Sequence, residues 1–395
     1  MNTLVYVDNH STTRVDPRVL EKMLPCFTNY YGNASSREHA FGWQAEELVR
    51  LARQQVADLI GAAPADIIFT SGTTESVNLA IKGIAEAYAP DGGHIITAAT
   101  EHSAVLETCE ALAERGYRLT VLPVDGHGVI DLAQLRDSLA PDTCLVSIMA
   151  ANNETGVLQP IKAIAEVCHE RNALFHTDAT QAIGKIPFDL NGAEVDLVSF
   201  SAHKMYGPKG VGALAIRKRR PRVRLAVQQH GGGHERGIRS GTLNVPGIVG
   251  FGEACRIARE EMTAEAAQLQ RLRNLLQELL LTEFPEAVVN GAGAPRLPHS
   301  LNISFPGIET ESLPSLLTDV AVSSGAACAS ATPELSHVLR AMGCSDHAIR
   351  SSLRFGLGRF NTEQEIRFVA QRVTAAVHQL QSSRINGMQT AEKGS

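Results

Sequence analysis

Between residues 66 and 204 the chain repeats one unit, a short apolar run ending in polar residues, followed by a stretch with apolar side chains three and four positions apart. The runs are DIIFTSG (66–72), HIITAATEHS (94–103), RLTVLPVD (118–125), CLVSIMAANNETG (144–156), LFHTDAT (174–180) and DLVSFSAHK (196–204). Segments such as SVNLAIKGIAEAYA and PIKAIAEVCHERN lie between them and have the spacing of amphipathic helices. Strands alternating with helices predict βαβ units, and so a largely parallel sheet covered on both faces. From about Pro246 to Leu281 the pattern is helical without a break, and the strands that follow (SLNISFPG, SLRFGLGR) have an α+β texture. A chain of 395 residues exceeds one small core. The expected division is a large α/β domain over 15–260 and a smaller α+β domain built from 1–14 and 261–380. Residues 381–395 lack periodicity and are expected to be a disordered tail.

A net charge of −6 provides no global field to attract nucleic acid or an anionic membrane. The opening MNTLVYVDNHSTT has no basic segment ahead of an apolar one, and no apolar run approaches the roughly 18 residues of a membrane helix. A cytoplasmic protein is expected. Its seven cysteines are odd in number and nowhere spaced as C-x-x-C, which indicates neither a disulfide framework nor a zinc knuckle. Cys144 and Cys168 fall in apolar periodic segments and read as core.

In an open α/β sheet, ligands bind beyond the carboxyl ends of the strands, and that is where this sequence places its polar residues. TSGTTES (70–76) follows a run and opens a helix, a turn that suits an anion and equally suits plain helix capping. His102 directly follows a run, although a lone histidine is more often a satisfied surface or core residue. Asn152 and Asn153 end another, and Asp178 and Gln181 end a third, where a buried carboxylate needs a cationic partner. Lys204 stands at a strand mouth beside Ser201 and His203, whereas Lys209 lies in an unremarkable G-P-K-G turn. A partly desolvated lysine can form a Schiff base. With an acid one strand earlier and an anion-binding turn, it matches what pyridoxal phosphate requires. Cys328 sits in SSGAACASAT, a loop with almost nothing to pack, which fits a displayed nucleophile or an incidental thiol in a small-residue turn.

TSGTTES, TEHSAVL, NNETG, HTDATQ, SAHKMYGPKG, GGGHERGIRSGT, SSGAACAS and SLRFGLGR occur in that order. Together they resemble the cysteine desulfurases of the NifS/IscS type, within the class V aminotransferase-like family of pyridoxal-phosphate enzymes. The resemblance implies an α/β fold of the aspartate-aminotransferase-like PLP-dependent transferases (fold type I), with a large, mostly parallel-sheet domain and a smaller α+β domain carrying the cysteine loop. It implies pyridoxal 5'-phosphate as cofactor, a homodimer, and conversion of L-cysteine to L-alanine. The sulfur would pass through a persulfide on the enzyme to an acceptor protein for iron-sulfur cluster assembly or tRNA thiolation.

By the same resemblance Lys204 is the Schiff-base lysine and proton shuttle, Asp178 faces the pyridinium nitrogen, and Gln181 donates to the ring's phenolic oxygen. His102 stacks on the ring and assists as acid or base. Thr74, Ser201 and His203 are phosphate ligands, with Thr73 beside them in the cofactor turn, and Thr242 reaches the phosphate from the second subunit. Asn153 and Arg354 hold the substrate carboxylate, and Cys328 is the nucleophile. The chain departs from the family's pattern in GTTES for GATES, GAACAS for GSACTS and DNHSTT for DYxATT. A transaminase or selenocysteine lyase of the same fold, and a non-catalytic scaffold, are the competing readings.

His230 and His234 have an H-x₃-H spacing, but three intervening glycines argue against the helix that a metal site of this spacing requires. No metal is expected. RKRRPRVR (217–224) has six basic residues in eight and reads as an exposed hairpin able to meet acidic partners. Direct nucleic-acid binding is not expected.

Overall fold

A computed structural model of the chain describes residues 4–308, 313–324, 326–327 and 334–392. The strands are β1 (Val5–Tyr6), β2 (Ile67–Thr70), β3 (His94–Ala98), β4 (Arg118–Leu122), β5 (Thr143–Ser147), β6 (Leu174–Asp178), β7 (Leu197–Ser201) and β8 (Gly212–Ile216). After the long helix Val245–Glu283 come β9 (Val288–Val289), β10 (Ser300–Ser304), β11 (Val320–Ala321), β12 (Ser323–Ser324), β13 (Ala326–Ala327), β14 (Glu334–Leu335) and β15 (Ser352–Gly356).

Seven strands form the main sheet in the order β2-β8-β7-β6-β5-β3-β4. β3 to β7 are parallel, and β8 lies antiparallel between β7 and β2. The six runs read from the sequence supply six of these strands. β8 is a short GALAI run between a glycine-rich turn and the basic stretch.

Alternation along each strand feeds two apolar layers, as a period of two requires. Ile67, Phe69, Ile96, Val146, Phe175, Val198 and Phe200 face one core with the helices Ala40–Leu59 and Ile161–Glu170. Ile68, Ile95, Leu145, Leu174, Leu197 and Leu214 face the other, under the helices Thr73–Tyr88 and Ser103–Ala113. The helix Val245–Glu283 continues the first layer. Its Phe251 is fully buried, with its ring 5.5 Å from that of Phe200 and 6.4 Å from that of Phe69. A side chain of this kind contributes about 1.5–3 kcal/mol by burial. Gly252 lets the helix pack closely, since a Cβ there would stand 2.6 Å from the Ala52 Cα.

The second half of the same helix enters a different core. Leu269, Leu272, Leu276 and Leu280 pack with Ile303, Leu353, Phe355 and the helix side chains Ile366, Val369 and Val373. Here an antiparallel sheet has the order β12-β15-β10-β9. One helix therefore spans two cores and fixes their relation.

The N-terminal segment laces the two parts together. β1 pairs with β11, Gly356 N donates to Val7 O at 2.7 Å, and Asn9 N donates to Gly356 O at 2.9 Å. A few residues later Thr13 N donates to His203 O at 2.9 Å, and Asp16 N to Tyr206 O at 2.9 Å. A buried polar cluster closes the seam, with Arg359 bonded to Asp16 and Glu265 and the Tyr206 hydroxyl donating to Glu265 at 2.7 Å.

Two sequence expectations differ here. Residues 217–224 form no hairpin, because Arg217 and Arg219 turn back to the buried Asp196 carboxylate at 3.2 and 2.8 Å. The last helix runs Glu363–Glu392 and so enters the segment expected to be an aperiodic tail. Among the described residues no helix is long and apolar enough to cross a membrane.

Candidate active site at the carboxyl ends of the parallel strands

Every polar turn singled out in the sequence between residues 70 and 204 leaves the same edge of the sheet. Lys204 ends a single helical turn, Ala202–Lys204, directly after β7. Its amine donates to the carbonyls of His10 and of Ser11, the latter at 2.8 Å. Burial pushes this amine down to about 8, helped by the nearby Arg354 charge and opposed by Asp178 and Asp8. Asp178 is the last residue of β6 and is 5% exposed, with Oδ1 accepting from Thr180 N at 2.9 Å. Acid and amine thus end neighbouring strands, attract one another and are largely withdrawn from water.

Around this pair stand the other expected residues. Gln181 is buried and bonded through both amide atoms to His10, Nε2 to the backbone oxygen at 3.0 Å and Oε1 to Nδ1 at 3.2 Å. Ser201 is buried at the end of β7. His203 Nδ1 lies 3.1 Å from Thr12 Oγ1, and burial beside Lys204 and Lys209 holds the imidazole down to about 4, hence neutral. His102 is the N-cap of the helix Ser103–Ala113, its Nδ1 accepting from Ala104 N at 3.1 Å. That bond fixes the lone pair on Nδ1.

The turn after β2 opens the sixteen-residue helix Thr73–Tyr88, whose first turn receives no side-chain cap. Thr73 Oγ1 lies 2.7 Å from Thr180 Oγ1, which ties this helix start to the Asp178 strand. Thr74 occupies its second position. Unpaired N–H groups and the helix dipole make such an end an anion site.

Asn153 follows β5 in a turn built by Asn152, whose Oδ1 accepts from the backbone of Glu154 and Thr155. The Asn153 Oδ1 is buried without a partner among the described residues. Arg354 lies on β15 and reaches across, donating to Asn153 O at 3.2 Å, Asp8 Oδ1 at 2.9 Å, Ser11 Oγ at 2.7 Å and Ser323 Oγ at 2.9 Å. Its Nε is a further buried donor with no partner among the described residues. A guanidinium beside an orphaned amide oxygen suits a ligand bearing both a carboxylate and an amine.

Two expected residues stand apart. Thr242 is exposed, on the loop before the helix Val245–Glu283, and makes no bond to the strand-mouth residues among those described. Cys328 lies outside the described residues. The chain on either side of it reaches the site, since Ser323 holds Arg354 and Asp8, and Ser336 donates to the Glu154 carboxylate. His337 Nε2 donates to Glu101 O at 2.9 Å. His234 Nδ1 accepts from Gly241 N, and no cluster of metal-ligating side chains occurs among the described residues.

The site also contains residues the motifs did not point out. Asp8, His10 and Ser11 belong to DNHSTT, a dense polar run straight after the apolar VYV, and that contrast is the signal that could have identified them. Glu101 is fully buried beside Asp178. It accepts from Met149 N at 2.7 Å, and burial together with the Asp178 charge raises its carboxyl well above the usual range.

An uncapped helix start, a depressed amine, a buried acid on the adjacent strand and orphaned polar atoms on Asn153 and Arg354 form a donor set that fits pyridoxal phosphate. Comparison with known proteins agrees. The profile described as aminotransferase class-V matches residues 5–369. The chain belongs to the class-V aminotransferase family.

A curated relative, the cysteine desulfurase IscS of Anaeromyxobacter dehalogenans, is 56% identical over 366 residues, covering 93% of this chain and 90% of the relative. A solved NifS-like protein superposes with a TM-score of 0.88 at 41% identity, covering 96% of this chain and all of that one. The structure of SspA in complex with cysteine superposes with a TM-score of 0.80 at 35% identity over 91% of this chain. The expected α/β architecture of the fold type I transferases is therefore the observed one.

Proposed function

We propose that the chain is a pyridoxal-phosphate-dependent cysteine desulfurase that converts L-cysteine to L-alanine and delivers the sulfur through Cys328 to an acceptor protein, for iron-sulfur cluster assembly or tRNA thiolation. The observation that carries this reading is the meeting of the Lys204–Asp178 pair with Arg354 and Asn153 at one strand mouth, bordered by Ser323 ahead of Cys328 and Ser336 after it. The sequence relatives named cysteine desulfurase and the cysteine-bound neighbour support it.

When bound, pyridoxal phosphate supplies an electron sink that lets the substrate's α-carbon release a proton. Lys204 holds the cofactor and moves that proton. Asp178 would keep the cofactor's ring nitrogen protonated, Gln181 would donate to its phenolic oxygen and His102 would pack on its ring. The helix start at Thr73 and Thr74, with Ser201 and His203, holds the phosphate. Arg354 and Asn153 orient the substrate carboxylate. The Cys328 thiolate attacks the substrate sulfur, forming the S–S bond as the C–S bond breaks. The released electron pair stays with the β-carbon, where a proton completes the methyl group of alanine.

The division into a large domain over 15–260 and a small one over 1–14 and 261–380 belongs to the same reading, supported by the two cores that the long helix joins. So does a homodimer in which Thr242 serves the partner's phosphate. Leu24, Phe27, Tyr31, Phe41 and Trp43 are all exposed within one short stretch, apolar side chains of the kind that a subunit contact would cover. A cytoplasmic location completes the proposal.

The test is intact mass after incubation with L-cysteine in the absence of reductant. The wild type gains one sulfur on Cys328 as alanine accumulates, and Cys328→Ala gains none. Alanine formation with no adduct on Cys328 overturns the persulfide role.

A further inference from the structure

His10 has no role among the motif residues, yet it touches two of them. Its backbone oxygen accepts from the Lys204 amine and from Gln181 Nε2 at 3.0 Å. A carbonyl can only accept, so the NH₂ of Gln181 must face it and Oε1 must face the imidazole. Oε1 stands 3.2 Å from His10 Nδ1, and Nδ1 must then carry the ring proton. His10 Nε2, left as the bare nitrogen, is buried with no partner among the described residues.

The ring cannot turn away from this bond. It is 1% exposed and stacks on His299 with centroids 4.7 Å apart. It also fills space that Gly356 leaves open, where a Cβ would stand 2.6 Å from His10 Cδ2. Burial and the charges of Arg354, Lys204 and Lys185 hold the imidazole down to about 3, so its neutral form persists across the working pH range.

We infer that His10 is a positioning residue of the cofactor site, whose ring and carbonyl together clamp the Gln181 amide so that its second N–H stays available to the cofactor's phenolic oxygen. The inference rests on the reading of the site given above. A free amide would flip between donor and acceptor ends. One whose oxygen is bonded to an N–H and whose NH₂ is bonded to a carbonyl cannot. His10 thus decides what Gln181 offers, without touching the cofactor itself.

The tautomer comes first, because it needs neither cofactor nor variant. In cofactor-free protein labelled with ¹⁵N-histidine, His10 is expected to be protonated on Nδ1, and protonation on Nε2 overturns the inference. The second readout is the pH midpoint of the lysine-bound cofactor's absorbance near about 420 nm. A donor to the phenolic oxygen stabilises its negative charge and weakens the neighbouring nitrogen's hold on its proton. His10→Leu should therefore raise the midpoint by about one pH unit, the size of one lost hydrogen bond. His10→Asn places an N–H where Nδ1 stands and should keep the wild-type midpoint. A merely structural role would lower thermal stability without moving the midpoint, so a folded, loaded His10→Leu with an unchanged midpoint overturns the inference. A wild type that shows the Nδ1 tautomer but forms no such chromophore would instead overturn the assignment of the cofactor.

Discussion

Lys204 destabilises the fold it serves, and the effect has a readable pH signature. Its amine falls from an ordinary 10.5 to about 8 because burial disfavours the charged form. A gap of this size amounts to about 3 kcal/mol of folding free energy at neutral pH. Below about pH 8 the lysine is charged in both states and the folded chain bears the whole penalty. Between about 8 and 10.5 the folded chain has released the proton that the unfolded chain still holds, so stability rises with pH. Above about 10.5 the amine is neutral in both states and the penalty is gone. Lys204→Met removes this dependence, and its own packing adds only a constant offset. Urea unfolding of the two cofactor-free proteins, repeated from about pH 7 to about pH 10.5, isolates the effect. The advantage of Lys204→Met should shrink by about 3 kcal/mol across that range. A difference that stays flat, or that widens as pH rises, would refute the argument that burial dominates at this amine.

Two further outcomes follow from buried carboxyls. Burial raises the Glu101 carboxyl in the fold, so Glu101→Gln should gain on the wild type as pH rises above the ordinary carboxyl range, by up to about 1.4 kcal/mol per pH unit. Unfolding curves at about pH 4 and pH 7 measure this, and equal stability at both would mean that the carboxyl is already ionised. Glu235, with its side chain 1% exposed, is bonded to Arg53 at 2.6 Å and to Phe69 N at 2.8 Å, so Arg53→Met should cost about 3–5 kcal/mol by leaving a buried charge unpaired. Adding Glu235→Leu should recover most of that loss, and a cost below about 1 kcal/mol for Arg53→Met alone would show the pair to be solvated.

The main sheet was legible because each parallel strand, buried on both faces, appears as a continuous apolar run whose polar end marks the ligand edge. β8 was not, since Gly212–Ile216 is a brief run of small residues with no helical segment after it. The candidate site was legible wherever residues close in sequence lie together at the strand mouth, as Asp178 and Gln181 do, or Ser201, His203 and Lys204. Its N-terminal wall was not. The bond between Asp8 and Arg354 spans 346 positions and that between His10 and Gln181 spans 171, and no local pattern encodes such pairings. The basic stretch misled for a related reason, because the carboxylate that binds Arg217 and Arg219 precedes them by 21 and 23 positions, on the strand edge beneath.

The lacing of the first residues into the last strand constrains how the protein can be made. A ribosome releases Asp8 a full 346 residues before Arg354, so the seat of the N-terminal segment on Gly356 and Arg354 exists only long after that segment has emerged. The main sheet, complete by Ile216, can collapse long before then. Throughout that interval the carbonyls that receive the Lys204 amine, and the clamp on Gln181, have not been set in place. Vectorial synthesis therefore leaves the Lys204 amine unguarded until the final strand arrives, and the nascent chain passes through a stage in which its fold is largely built but this strand mouth is not yet assembled.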